Sequence, residues 1–132
     1  MPTTQTRTAC FAFAHRHPHL HGHNAVATLH FTAETEQADM VRAVQWVTDM
    51  LHESVVLDES DPHRHMLTVC MTPELEHERD HIARIVLVED TTLSGLALLI
   101  AKSATQVMES RDSRVIRVTV DDGWTGSATV TT

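Results

Sequence analysis

The feature that most constrains the fold is a run of histidines between two alternating apolar segments. In HRHPHLHGHN, residues 15–24, a histidine occupies every odd position from His15 to His23. The run follows ACFAFA and precedes AVATLHF, and both segments have the period of half-buried β-strands. We therefore predict strands over 6–14 and 24–33, joined by a turn or bulge at Pro18.

Beyond this hairpin the apolar period becomes helical. The segment DMVRAVQWVTDMLHES predicts a helix with Asp39 as its N-cap, and LSGLALLIAKSATQVMES predicts a second helix capped by Thr92. We expect residues 57–80 to form a loop with a short strand at 66–71. Three further strands are predicted in ARIVLVED, SRVIRVTVDD and GSATVT, the last two joined by a turn at Asp122-Gly123.

This order of elements predicts an α+β fold. A four-stranded, mostly antiparallel sheet would be covered on one face by the two amphipathic helices. The length of 132 residues fits one domain, so we assign residues 1–132 to a single unit.

The charge and the apolar runs exclude several classes of partner. The formal net charge is −8 with neutral histidines, and the Lys and Arg residues are not clustered, which disfavours nucleic acid and membrane surfaces. The N-terminus MPTTQTRT lacks the apolar region of a signal peptide, and the longest apolar run, LALLI, is too short to span a bilayer. We therefore expect a cytoplasmic protein.

The histidines suggest a metal site. His21 and His23 are two residues apart, so in extended backbone both side chains point the same way, and Gly22 between them lets the backbone bend. His15, at the end of the preceding strand, would supply a third imidazole. Zinc accepts imidazole ligands, and catalytic zinc sites use three protein ligands with one open position. The spacing alone leaves open a solvated histidine-rich loop without a specific metal.

The motifs resemble those of the 6-pyruvoyl-tetrahydropterin synthase and 6-carboxytetrahydropterin synthase family. FAFAH followed by HGHN is similar to the family's F-x-A-A-H and H-G-H-N. DMVRAVQWVTDML resembles G-M-V-x-D-F-x-x-L, and VVLDESDPH resembles the L-D-H segment. TTLSGLALLIA lines up with P-T-x-E-N-L-A, and VIRVTVDD lines up with V-x-V-x-E-T. The resemblance spans nearly the whole chain in the family's order.

The resemblance implies a zinc enzyme with a tunnelling-type fold. It assigns Zn²⁺ to His15, His21 and His23, and a pterin-like small-molecule substrate to Asp121 on the closing strand and to Thr92. A carboxylate suits the paired N–H donors of a pterin edge. The resemblance also implies a homo-oligomer with sites between subunits.

The chain departs from the family at the catalytic base. His17 stands where the family has a cysteine, and Asp58-Glu59 stands where the family has an Asp-His pair, so His17, Asp58 and Glu59 are the catalytic candidates. His63 and His65 lie close by in sequence and are possible substitutes for the missing histidine. Residues 62–88 resemble an added or remodelled segment.

These residues lead to three functional hypotheses. The first is a zinc-dependent lyase of the carbon-oxygen type that acts on a dihydropterin or a related bicyclic heterocycle, with a rebuilt or degraded base. The second is a non-catalytic family member that keeps the metal and binds a ligand or partner. The third is a histidine-rich metal-buffering protein, which would bind several ions per chain.

Overall fold

The computed structural model describes residues 4–65 and 84–132 of the chain. In chain order the elements of these residues are β1 (Thr4–Arg16), β2 (Leu20–Thr32), α1 (Gln37–Leu51), β3 (Ser54–Asp58), β4 (Arg84–Val88), α2 (Leu93–Val107), β5 (Val115–Asp121) and β6 (Ser127–Thr131). The strands form one sheet in the order β4-β3-β1-β2-β5-β6.

The N-terminal hairpin is confirmed and is longer than the sequence predicted. Strands β1 and β2 pair antiparallel from Thr4↔Thr32 to Arg16↔Leu20. His15, His21 and His23 therefore lie within the strands, and only residues 17–19, with His17 and His19, link the two strands. The His17–Pro18 peptide bond in this link is cis.

The expected four-stranded antiparallel sheet is wrong in strand number and direction, because the described residues form a six-stranded mixed sheet. Strand β3 pairs parallel with β1, and β4 pairs parallel with β3. Helix α1 crosses over the sheet between β2 and β3, which is the kind of connection that parallel strands require. Residues 57 and 58, predicted as loop, are the end of β3. The strand predicted at 66–71 lies outside the described residues.

Both predicted helices are present, with one corrected start. Thr92 is the N-cap of α2, where its Oγ1 accepts a hydrogen bond from Gly95 N at 3.2 Å. The cap of α1 is Glu36, three residues before the predicted Asp39. Asp39 lies inside the first turn and is buried. Its carboxylate accepts hydrogen bonds from the backbone N–H groups of Glu109 at 2.9 Å and Ser110 at 3.1 Å, which compensate the burial of its charge.

The hydrophobic core lies between the two helices and one face of the sheet, as predicted. The odd-numbered residues from Ala9 to Phe13 in β1 and from Ala25 to Phe31 in β2 belong to this core. Neither helix in the described part of the chain is long and apolar enough to cross a membrane. The largest buried side chains include Leu29, Phe31, Met40, Leu51, Leu57, Leu96 and Ile100.

Candidate metal centre

Three histidines converge where the hairpin meets the start of α2. His15 pairs directly with His21 across β1 and β2, and His23 follows two residues later on the same face. Their ligand atoms all lie within 4.8 Å of one another. His15 Nε2 and His21 Nε2 are 3.0 Å apart, close to the separation of about 3.3 Å for two nitrogens on one tetrahedral zinc. The predicted triad is therefore assembled in the fold.

The other ring nitrogen of each histidine faces an oxygen acceptor. His15 Nδ1 donates to the Thr91 carbonyl at 2.6 Å, and His21 Nδ1 donates to the His19 carbonyl at 2.7 Å. A carbonyl can only accept, so both Nδ1 atoms carry a proton, and in a neutral imidazole this leaves the Nε2 lone pair free. This arrangement of outer acceptors is common behind metal-bound histidines. On the third histidine, His23 Nδ1 lies 3.6 Å from Asp122 Oδ2.

The electrostatics also suit a metal ligand. Burial lowers the pKa of His15, the hydrogen bond to Thr91 partly opposes this effect, and the neighbouring His21 and His23 lower the pKa further. His15 is thus held in the neutral form that coordinates metals. Two unprotonated Nε2 atoms at 3.0 Å repel each other, and either a shared proton or a metal ion between them removes this repulsion. The donor set, its tautomers and its spacing therefore fit a divalent ion such as Zn²⁺.

Hydrogen bonds between Thr91 and the end of β1 fix the position of the Thr91 carbonyl. Thr91 Oγ1 donates to the Arg16 carbonyl at 2.8 Å, while the Thr91 carbonyl accepts from His15. The start of α2 is thereby fixed to the end of β1 through two successive residues. These two hydrogen bonds orient the imidazole of His15.

The triad opens into a cavity of 440 Å³ that also contains two other predicted site residues. His17 and Thr92 both line it, so the structure brings them together with the metal candidates. Hydrogen bonds from the Thr92 hydroxyl and backbone N–H lower the pKa of Asp90, and the charge of His17 adds a smaller contribution. The remaining lining residues are Leu93, Ser94, Thr125, Ser127 and Ala128.

Asp121, predicted to bind substrate, lies on the opposite face of the sheet. It pairs with Val26, whose side chain points away from the helices, and it lines a separate cavity of 570 Å³ beside Cys10 and Ala12. Within one chain the sheet therefore separates Asp121 from the triad. The carboxylate that the sequence analysis did not select is Asp122, whose side chain is fully buried beside His23. The period of β5 contained the signal, because Val118, Val120 and Asp122 are two residues apart and share a face.

Asp58 and Glu59 do not line the triad cavity among the described residues. The Asp58 carboxylate accepts hydrogen bonds from the Ser60 hydroxyl at 2.5 Å and from Ser60 N at 2.7 Å, and these bonds lower its pKa. Glu59 is exposed.

Asp61 and His63 form an Asp-His pair shortly after Asp58 and Glu59 in the sequence. Neither residue lines the triad cavity. Asp61 Oδ1 accepts from His63 N at 2.8 Å, and His63 Nδ1 is 3.8 Å from the same oxygen. The other carboxylate oxygen binds Arg16 Nε at 2.5 Å. His65 is exposed.

Known proteins resemble this chain over nearly its whole length. Residues 4–132 match the family model described as 6-pyruvoyl tetrahydropterin synthase. An uncharacterized protein from Wolinella succinogenes has a TM-score of 0.77 at 15% identity, with 99% of this chain and 98% of that chain covered. No curated protein sequence matches the chain.

Two solved synthases show a similar fold. The 6-pyruvoyl tetrahydropterin synthase of Caenorhabditis elegans has a TM-score of 0.63 at 16% identity and covers 100% of this chain and 96% of its own. The Plasmodium vivax synthase, in a variant that replaces a catalytic glutamate by alanine, has a TM-score of 0.67 at 16% identity, covering 98% and 97%.

Proposed function

Since the chain belongs to the 6-pyruvoyl tetrahydropterin synthase family, we propose that it is a zinc-dependent lyase-type member acting on a dihydropterin or a related bicyclic heterocycle. One observation carries the metal part of this proposal. The three histidines direct ligand atoms at one point within 4.8 Å, while the other nitrogen of His15 and of His21 is tied to a carbonyl. In a solvated histidine loop, water would contact both ring nitrogens, and no carbonyl would fix the tautomer.

The chain's own residues supply the acid-base chemistry in this proposal. A metal held by the triad would act as a Lewis acid toward a substrate oxygen. His17 lines the same cavity, and its imidazole can take a proton from a substrate carbon and return it. The carboxylate of Asp90 lies close enough to His17 to interact with it electrostatically.

A histidine base is compatible with what one relative shows. In the Plasmodium vivax synthase a catalytic residue is a glutamate, so catalytic residues in this fold are not confined to cysteine, aspartate and histidine. His17 is the candidate base here because it lines the triad cavity at the position where the family resemblance expects a cysteine.

A second candidate function is a non-catalytic family member that binds a metal and a ligand. The positions of Asp58, Glu59 and Asp121 favour it, because none of these carboxylates lines the triad cavity of its own chain. In this alternative the triad and its cavity serve ligand recognition, and turnover is absent.

We also propose that the protein is a homo-oligomer. Among residues 4–65 and 84–132, strands β4 and β6 are the edges of the sheet, and sheet edges are commonly covered by another chain. Asp121 and the triad lie on opposite faces of one sheet, so one ligand could touch both only if Asp121 came from a second chain. A site between subunits would satisfy this requirement.

Metal analysis of purified, chelator-washed protein tests the proposal. We expect one tightly held divalent ion per chain, and we expect His21→Ala and His23→Ala to weaken binding by at least about 100-fold. His19→Ala is the matched control, because only the backbone carbonyl of His19 contacts the triad. Several ions per chain would indicate metal buffering. No retained metal, or unchanged binding in the two triad variants, would contradict the proposal.

Turnover then separates the two candidate functions. Zinc-loaded protein incubated with dihydropterin substrates should release product if the lyase proposal holds, and the rate should fall in His17→Ala. Ligand binding without any turnover would support the non-catalytic alternative.

A further inference from the structure

The turn between β5 and β6 carries an exposed indole beside the metal candidates. Trp124 is 88% exposed, while the other tryptophan of the sequence, Trp46, is partly buried and packs against the core. Trp124 therefore adds little to the packing of the described fold. An indole offers a large, flat apolar surface, and covering it with another flat molecule removes that surface from water.

The backbone of this turn is fixed. Asp122 Oδ1 accepts hydrogen bonds from Trp124 N at 2.9 Å, from Thr125 N at 2.8 Å and from Gly126 N at 3.1 Å. Gly123 and Gly126 adopt positive φ values of 69° and 139°, which glycine tolerates because it has no Cβ. These bonds set the position from which the indole of Trp124 projects.

Trp124 lines a cavity of 510 Å³ that reaches the triad. His21 and His23 also line this cavity, and both line the 440 Å³ cavity described above, so the two cavities meet at the metal candidates. A space of this size accommodates a small bicyclic ligand. The remaining lining residues are Gly22, Asn24, Asp122, Gly123 and Thr125.

The edge of β2 at Asn24 leaves backbone groups available beside this turn. Ala12 O accepts from Glu53 N at 2.6 Å, and Ala12 N donates to His52 Nδ1 at 3.1 Å, so the Ala12 backbone points away from β2. Residues directly opposite in an antiparallel pair either bond each other or both point outward, so its partner Asn24 directs its N–H and C=O toward the β5 side. Strand β5 pairs with β2 only from Val26 onward. Within residues 4–65 and 84–132, no strand therefore pairs with Asn24 on that side.

We infer that this 510 Å³ cavity binds a planar heterocycle, with the indole of Trp124 stacked on the face of the ring and the Asn24 peptide group available to its polar edge. The inference rests on the proposed function for the class of ligand and makes that function more specific. Stacking on an indole requires a flat π-system, so Trp124 would select conjugated rings over saturated or acyclic metal ligands. No motif of the sequence analysis selected this residue.

Fluorine NMR tests the contact without changing residue 124. The chain contains two tryptophans, so protein labelled with 5-fluorotryptophan gives two signals, and Trp46→Phe assigns them. We expect titration with neopterin, a stable oxidised pterin, to shift the Trp124 signal through the ring current of the stacked heterocycle. The Trp46 signal is the internal control and should stay unchanged, because Trp46 lies in α1 and does not line the cavity.

Substitution of Trp124 measures what the contact contributes. We expect Trp124→Ala to weaken neopterin binding in calorimetry by about 5–100-fold, and Trp124→Phe to retain most of the affinity because a phenyl ring still stacks. Val41→Ala is the matched control, since Val41 is an exposed apolar residue of α1 outside the cavity, and it should change the affinity by less than about twofold. Zn²⁺ affinity, measured by chelator competition, should stay within about twofold in Trp124→Ala.

The outcomes separate this inference from the proposed function. If the unchanged protein retains no metal, the metal-dependent part of the proposed function fails, while a neopterin-induced shift of the Trp124 signal would still support the stacking site. If the protein holds metal and Trp124→Ala binds neopterin as tightly as the unchanged chain, the inference is wrong and the metal site stands. Absence of neopterin binding to the unchanged protein would also overturn it. A Trp124 signal that ignores neopterin, together with dissociation of Trp124→Ala in light scattering, would instead assign the indole to a contact between copies.

Discussion

The two faces of the sheet differ sharply near the histidine end of the hairpin. On the helix-covered face, His15, His21, His23 and Asp122 lie close together with oriented partners. On the open face, Cys10, Ala12, Val26 and Asp121 line a larger cavity of 570 Å³. One face therefore concentrates ionisable groups, and the other is lined mainly by small or weakly polar side chains.

This difference shows how strongly a single step along a strand changes chemistry. Asp121 and Asp122 are adjacent, yet one is exposed on the open face and the other is buried beside a histidine. Successive strand residues point to opposite faces, so the register of β5 against β2 decides which acid meets the triad.

The largest expected effect is on turnover, and it concerns His17, the candidate base on the helix-covered face. The family resemblance implies a cysteine base for the conversion of dihydroneopterin triphosphate to 6-pyruvoyl-tetrahydropterin, and this chain has His17 at that position. An imidazole differs from a thiolate in charge and reach, and a well-placed base is worth roughly 10²–10⁴ in rate. We expect turnover in this reaction to be lower than that of an ordinary synthase by a factor in this range.

The matched variant for this prediction is His17→Cys, which returns the family's residue to the same cavity. We expect it to raise turnover in a direct assay of the zinc-loaded protein. Ordinary synthase rates from the unchanged chain would show that the cavity is already complete without a thiol.

The next effect tests whether buried acids on the covered side stabilise the fold while exposed acids do not. We expect Asp39→Ala to lower the free energy of unfolding by about 3 kcal/mol, because it leaves the N–H groups of Glu109 and Ser110 and the hydroxyl of Ser113 without their charged acceptor. Glu34→Ala, at an exposed acid in the turn before α1, should change it by less than about 0.5 kcal/mol. Urea denaturation of both variants measures the difference.

The same contact predicts a pH dependence. Hydrogen bonds from Glu109 N and the Ser113 hydroxyl lower the pKa of Asp39 to about 2 from its usual 3.8. Since the folded-state pKa lies below the unfolded value, the stabilisation is fully present above pH 4 and is lost as the pH falls toward 2. Asp39→Asn should show a flatter stability profile over this range than the unchanged protein. Parallel profiles for the two would contradict the assignment.

Local sequence patterns predicted most helices and strands, but they did not predict the parallel pairing of β3 and β4. The hairpin and α2 follow from alternation and from the Thr92 cap, which are short-range signals. Strand β3 was hidden because VVL is a short apolar run that also fits the end of a helix, and its parallel pairing with β1 is a long-range property. Asp39 resembled a cap because it precedes an apolar run, yet its partner Glu109 is 70 residues away.

The candidate site shows the same division. The histidines were predictable because odd positions in a hairpin share a face, and this rule needs no knowledge of other strands. The position of Asp122 beside His23 depends on β5, which pairs with β2 from near the other end of the chain. The carbonyl of Thr91 has no side-chain signal, so a backbone acceptor for His15 could not be anticipated from residue types.

A complementation experiment tests whether a second chain brings the two faces together. We expect His23→Ala and Asp121→Asn each to weaken binding of a pterin analogue by at least about tenfold. If one ligand contacts the triad of one chain and Asp121 of another, co-expressed variants should recover about a quarter of the sites by random mixing. Calorimetric titration counts the sites.

The control for this experiment combines His23→Ala with the double variant His23→Ala/Asp121→Asn. No chain in this mixture has an intact triad, so no recovery is expected. A monomer in light scattering, or an absence of recovery in the first mixture, would show that the two faces do not share a ligand.

The smallest expected effect concerns Thr92, and it separates helix capping from ligand binding. Thr92 caps α2 through Gly95 N and also lines the triad cavity. Thr92→Ala removes the cap and should lower the free energy of unfolding by about 1 kcal/mol. Thr92→Ser keeps the hydroxyl and should restore most of this loss in thermal unfolding. If Thr92 acts only as a cap, ligand affinity should follow stability in both variants. Loss of affinity in Thr92→Ala at a temperature where it is fully folded and still binds metal would instead assign the hydroxyl to ligand recognition on the covered face.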